Sequence, residues 1–84
     1  MPDSAAEARQ RIRTLLVGMY GDNSFVANLP DMVSLREAGV SSTALVSLLV
    51  AMEDAFGFEW GDDVQPEALR SIGSLADHVV TVRM

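Results

Sequence analysis

The chain has 84 residues, a formal net charge of −6, an apolar fraction of 49% and charged residues at 21%. That length supports one domain burying roughly 60–65% of its unfolded surface, too little for an enzyme cleft with a substrate pocket of its own. Twelve acids face six arginines and there is no lysine, the wrong sign for nucleic acid or an anionic membrane surface and a suitable one for basic protein partners. The absence of cysteine excludes disulfides and thiolate metal sites, and one histidine, His78, cannot build a zinc site alone. MPDSAAEARQ lacks the order of a signal peptide, and no apolar run approaches the ~20 residues of a membrane span. The expectation is a soluble, cytoplasmic, monomeric domain over residues 1–84, with no partnership with nucleic acid or membrane.

The first helix is expected from Ser4 to Met19. Ser4 is its cap and Glu7 completes a capping box. Ile12, Leu15, Leu16 and Met19 recur at helical spacing and mark the buried face. A long connection follows, GDNSFVANLPDMVSLREAG. Phe25, Val26, Leu29, Met32, Val33 and Leu35 imply that it packs on the core.

The next helix is expected from Ser42 to Phe56. At about 100° per residue, Leu45, Leu48, Leu49, Met52 and Phe56 share one arc and form the core face. Val46 and Val50 fall outside it, four and eight residues after Ser42, with Glu53 on the same side. Two valines left in water gain nothing for folding, and a partner surface would explain them; scattered apolar surface residues are also common. Gly57 ends the helix. Phe58 and Trp60 should pin the following loop. Pro66 opens a short helix through Leu69, and Ser71 or Ser74 caps a last helix ending near Val82, with Ile72, Leu75, Val79 and Val82 inward. The fold class is all-α: a small bundle of three main helices and one short one, with a long first loop.

Catalytic chemistry is scarce. His78 is the one candidate base, and its helix position reads as exposed and idle. GVSST lacks the final glycine of a nucleophile elbow. The acids of FEWGDD miss calcium spacing, and no phosphate-cradling glycine loop occurs. Either Ser41 or Ser42 can cap the central helix. If Ser41 caps, Ser42 is exposed at the positive end of the helix dipole, a favourable place for an anionic phosphodiester.

The whole pattern resembles the acyl carrier and peptidyl carrier protein family. The stretch is LREAGVSSTALVSLLVAMEDAFG. Leu35, Gly39, Ser42, Val46, Leu48, Glu53, Phe56 and Gly57 fall without a gap on the family's L-x-x-L-G-x-D-S-L followed by x-x-V-E-L-x-x-x-L-E-x-x-F-G. Ser71-Ile72-Gly73-Ser74-Leu75-Ala76-Asp77 resembles its closing T-[VI]-x-x-L-x-[DE]. The resemblance implies a non-enzymatic carrier with 4'-phosphopantetheine on Ser42, installed from coenzyme A by a phosphopantetheinyl transferase. An acyl or aminoacyl group would ride the arm as a thioester between a loading enzyme and downstream synthase or tailoring enzymes. It implies a docking surface of Ser41, Thr43, Val46, Ser47, Val50, Glu53 and Asp54.

The departures that matter are at three positions: Ser41 stands for Asp, Thr43 for Leu and Ser47 for Glu. Ser41 keeps the cap, but two charges are gone, and such charges chiefly set on-rate and specificity. That points from housekeeping fatty-acid synthesis to a free-standing carrier of specialised polyketide or nonribosomal peptide assembly, as in antibiotic biosynthesis. The alternative is an armless binding module that recruits or regulates an enzyme through Val46, Val50 and Glu53.

Overall fold

The computed structural model describes residues 4–61, 64 and 66–83. Asp62 and Asp63 of the FEWGDD stretch and the first three residues of MPDSAAEARQ lie outside them. Four α-helices follow in order: α1 (Ala5–Tyr20), α2 (Leu35–Ala38), α3 (Ser42–Phe56) and α4 (Ile72–Arg83). Two 3-10 turns, Phe25–Asn28 and Pro66–Leu69, lie in the connections. No strand occurs among the described residues, so the all-α expectation holds. The short helix expected at Pro66 is a 3-10 turn, and the short α-helix, α2, lies inside the long connection instead.

Each long helix buries one row of residues. Ala8, Ile12 and Leu16 of α1 and Leu48, Met52 and Phe56 of α3 are fully buried. Both rows advance by four residues, which keeps successive side chains nearly over one another. Residues three apart swing off the row. Leu15, Leu45 and Leu49 therefore only flank the core, and Met19 is exposed, against the expectation for its helix; Tyr20, four after Leu16, packs there instead. On α4 the core takes Ile72, Leu75, Ala76 and Val79, while Val82, three past Val79, is exposed and does not continue the inward face. Packing of α1 on α4 and α3 closes the bundle.

Capping explains where the helices begin and end. The Glu7 amide donates to Ser4 Oγ at 3.3 Å, so Ser4 is the cap. The reverse bond of a capping box, from Glu7, is absent among the described residues. Gly57 ends α3 at φ 71°, a left-handed conformation that favours glycine, with its amide on Glu53 O at 2.9 Å.

At α4 the cap is Ser71, not Ser74. The Ser74 amide donates to Ser71 Oγ at 3.1 Å, and the Ser71 amide donates back to Ser74 Oγ at 2.9 Å. Serine at the third position replaces the usual Glu of the box. Ser71 is only 2% exposed, so its loss strands buried donors. Ser71→Ala should lower stability by about 1–2 kcal/mol, read as a lower urea midpoint with an unchanged slope.

The long connection is held by polar bonds as much as by apolar burial. Val26, Leu29, Leu35 and Val40 enter the core, but Phe25, Met32 and Val33 are exposed, contrary to expectation. Arg13 bonds both the Val26 carbonyl and the Asp31 carboxylate, and Arg9 lies 3.8 Å from the same carboxylate. The Gly73 amide donates to Asp31 O, and the Leu35 amide to Arg70 O, each at 2.8 Å. These bonds fix the segment without requiring every apolar residue inside. A Cβ on Gly73 would come within 2.5 Å of Met32 Sδ and 3.2 Å of Asp31 O, so glycine permits this close approach.

Candidate functional site

The turn before α3 separates the two serines. Gly39 closes α2 at φ 119°, its amide on Leu35 and Arg36 carbonyls, and Val40 is buried beside it. The backbone then emerges at Ser41 in an extended conformation, φ −71° and ψ 162°. Ser41 Oγ accepts from the Ala44 amide at 3.1 Å, and Ser41 O accepts from the Leu45 amide at 2.9 Å. Ser41 is therefore the cap.

Ser42 is the first residue of the 15-residue helix, and it is exposed. Among the described residues its hydroxyl has no hydrogen-bond partner, and the Ser42 and Thr43 amides are likewise unpaired, as the first turn of a helix leaves them. No acid stands in the first turn of α3. The positive end of the dipole is thus not neutralised by a neighbouring carboxylate, and an anion attached at Ser42 Oγ would meet amide donors and favourable potential. The residues present fit a phosphodiester there.

Below Ser42 the stripe is as the spacing predicts. Val46 and Val50 are each 60% exposed, large for valines on a helix whose opposite face is fully buried. Thr43, Ser47 and Asp54 are exposed too. Glu53 differs: it is half-buried, and its Oε2 accepts from the Trp60 amide at 3.0 Å. Part of its capacity holds the segment after α3. The stripe ends in an open hollow of about 480 Å³ lined by Val50, Glu53, Asp54, Phe58, Glu59 and Trp60.

Phe58 and Trp60 do pin that segment. Trp60 Nε1 donates to Leu49 O at 2.9 Å, and its ring lies edge-on to Phe58 with centroids 4.9 Å apart. His78, expected to be exposed and idle, is half-buried and stacks on Trp60 at 4.8 Å with the ring planes 13° apart. The α4 position places His78 beside the core seam, and a distant aromatic ring covers it. Helical spacing alone cannot show that neighbour.

Sequence reasoning missed a second feature at the head of α3. An open cleft of about 410 Å³ is lined by Ser34, Arg36, Leu45, Pro66, Glu67, Leu69 and Arg70. Its walls come from α2, α3 and the 3-10 turn before α4. No periodicity in any one of them announces it.

Among the described residues, no group of three or more His, Cys, Asp or Glu side chains could hold a metal ion, and no helix is long and apolar enough to cross a membrane. The chain is similar to the non-reducing polyketide synthase pks12 of Talaromyces marneffei, with 36% identity over 59 residues, or 70% of this chain. A second sequence of that name from the same species matches equally. The chain spans about 3% of the length of these curated relatives. No family model matches the chain, and no solved structure does.

Proposed function

We propose that the chain is a carrier domain of polyketide-type biosynthesis, with 4'-phosphopantetheine attached at Ser42. The observation that carries this reading is the division of labour at the head of α3. Ser41 supplies the cap at 3.1 Å, which leaves the exposed Ser42 hydroxyl unengaged above a stripe of exposed valines. Similarity to part of a polyketide synthase supports the same pathway class.

Attachment forms a bond from Ser42 Oγ to the phosphorus of coenzyme A that bears the pantetheine. The diphosphate linkage breaks, adenosine 3',5'-bisphosphate departs, and the hydroxyl proton leaves to a base on the transferase. The arm supplies a terminal thiol for an acyl or aminoacyl thioester. The chain's own residues hold the attachment point, present Val46 and Val50 to a partner, and perform no bond chemistry on the cargo. The partners are the transferase, a loading enzyme and downstream synthase or tailoring enzymes.

Intact mass spectrometry after incubation with coenzyme A and a promiscuous phosphopantetheinyl transferase tests the proposal. The expected result is a gain of one phosphopantetheine mapped to the peptide containing Ser42. No gain in a folded protein, with the transferase active on a control, rejects it and leaves the Val46 and Val50 face as that of an armless binding module. Ser41, Thr43 and Ser47, where the usual Asp, Leu and Glu are missing, favour that second reading.

A further inference from the structure

We propose that the hollow between α1 and the long connection docks a carboxylate side chain, an aspartate or a glutamate, on a partner protein. The hollow holds about 300 Å³ and is lined by Ala6, Arg9, Gln10 and Arg13 of α1 and by Asp31 of the connection. It stands apart from the site at Ser42. Arg11 bonds the Ala55 carbonyl at 3.1 Å, which sets the first half of α1 beside the last turn of α3. At about 1.5 Å per residue, Ala55 lies roughly 20 Å along α3 from Ser42. A contact in the hollow therefore leaves the head of α3 free.

The cluster is one carboxylate short. Arg13 is engaged at both terminal nitrogens, by the Val26 carbonyl at 3.2 Å and by the Asp31 carboxylate. Arg9 is not. Its distance to that same carboxylate is 3.8 Å, beyond hydrogen-bond reach, and it makes no hydrogen bond among the described residues. Its Nε is also shielded from solvent and has no partner. A donor cut off from both protein and water is costly, and folded proteins leave few of them. The Arg9 side chain as a whole is 36% exposed, so an incoming group can reach its guanidinium. Gln10 beside it is exposed, with a side-chain amide that also lacks a partner among the described residues.

The charge selects the occupant. Two guanidiniums against one carboxylate leave +1 on these walls, in a chain of net −6. A single negative charge balances that, whereas a doubly charged phosphate would also meet the resident Asp31. A carboxylate places two oxygens against the Nε edge of an arginine, the two-donor arrangement this side chain is built for. A small turn of the Arg9 side chain frees that edge. Ala6 is the one apolar residue on the walls, so an apolar anchor has little to cover. The foot of α3 carries the opposite sign, with Glu53, Asp54 and Glu59 around its own hollow. The two sides of the bundle therefore select partner surfaces of opposite charge, which fixes orientation as well as identity. A second copy of this chain is disfavoured as the partner, because two bodies of net −6 repel.

The test titrates the full chain with a capped tripeptide carrying a central glutamate and with its glutamine twin, at matched chloride. NMR signals of the Arg9 Nε–H and of the Gln10 side-chain amide report the hollow. The glutamate peptide should shift both signals to saturation, and the glutamine peptide should shift neither. Arg9→Gln should weaken binding of the glutamate peptide by about tenfold or more, the scale of one hydrogen bond to a charged group, in a chain that still melts as a folded helical domain. No shift with the glutamate peptide, equal shifts with its twin, or binding that survives Arg9→Gln overturns the proposal. Inorganic phosphate binding more tightly than the peptide through the same arginine also overturns it, because the hollow would then read phosphate. Asp3, which lies outside the described residues, supplies the last control. A response to the glutamate peptide that appears only in Asp3→Asn overturns the proposal, since the chain's own terminus would then be the occupant.

Discussion

Ser42→Ala should abolish the phosphopantetheine mass gain completely while leaving the fold at least as stable as that of the parent chain. The neighbouring substitution should do the reverse. Ser41→Ala removes the acceptor for the Ala44 amide and should cost about 1 kcal/mol of stability, yet it leaves the hydroxyl of Ser42 in place and should retain the arm. Alanine at position 42 disturbs no bond among the described residues and is a better helix former than serine by a few tenths of a kcal/mol, on the order of the propensity difference. The pair of variants separates attachment from capping because Ser41 makes the cap and the proposal puts the arm on Ser42. Thermal melts accompany the mass measurement, so that a lost arm is not confused with a lost helix. Modification that persists in Ser42→Ala and disappears in Ser41→Ala would exchange the two assignments.

The sequence offered both Ser41 and Ser42 as the cap, and the bond from the Ala44 amide selects Ser41. Caps and helix starts depend on residues within one turn, so Ser4, Gly57 and the start of α3 at Ser42 could be read from spacing. So could the outward position of Val46 and Val50, because a strong inward row at Leu48, Met52 and Phe56 fixes the rotation of α3. What could not be read depends on a neighbour far along the chain. The ring over His78 belongs to Trp60, eighteen positions earlier, and nothing in the pattern around His78 announces it. Met32 carries the apolar signature of a core residue, yet it stays outside because Gly73 and the Asp31 carbonyl hold its segment by a backbone bond. Met19 on α1 failed for a subtler reason. Three-residue and four-residue steps both satisfy helical periodicity, and only packing selects the four-residue row. The cleft with Arg36 and Arg70 is the limiting case, because its walls come from three separate elements.

Replacing both Val46 and Val50 by Asp should slow transfer of the arm by up to about 100-fold at low substrate concentration, with little loss of helicity. The estimate follows from burial: covering the exposed part of a valine at a partner surface contributes about 1–1.5 kcal/mol, up to roughly tenfold in rate per residue. Both valines are 60% exposed in the isolated chain, so folding depends little on them, and surface substitutions of this sort cost about 0.5 kcal/mol or less. The two introduced aspartates and the resident Asp54 would stand four residues apart on one face, and two such like-charge pairs add about 0.5–1 kcal/mol of repulsion. That remains a small fraction of a domain's usual stability of about 5–15 kcal/mol. Charge and apolarity are then separated with threonine, which keeps the shape of valine and adds no charge. Val46→Thr with Val50→Thr should slow transfer by only about tenfold if the methyl groups carry docking, since threonine retains one of the two on each side chain. A transfer rate unchanged by the aspartates would move the partner surface off this stripe and leave the valines as ordinary exposed apolar residues. A rate lowered by Asp and untouched by Thr would make the stripe a steric and electrostatic boundary rather than an apolar contact.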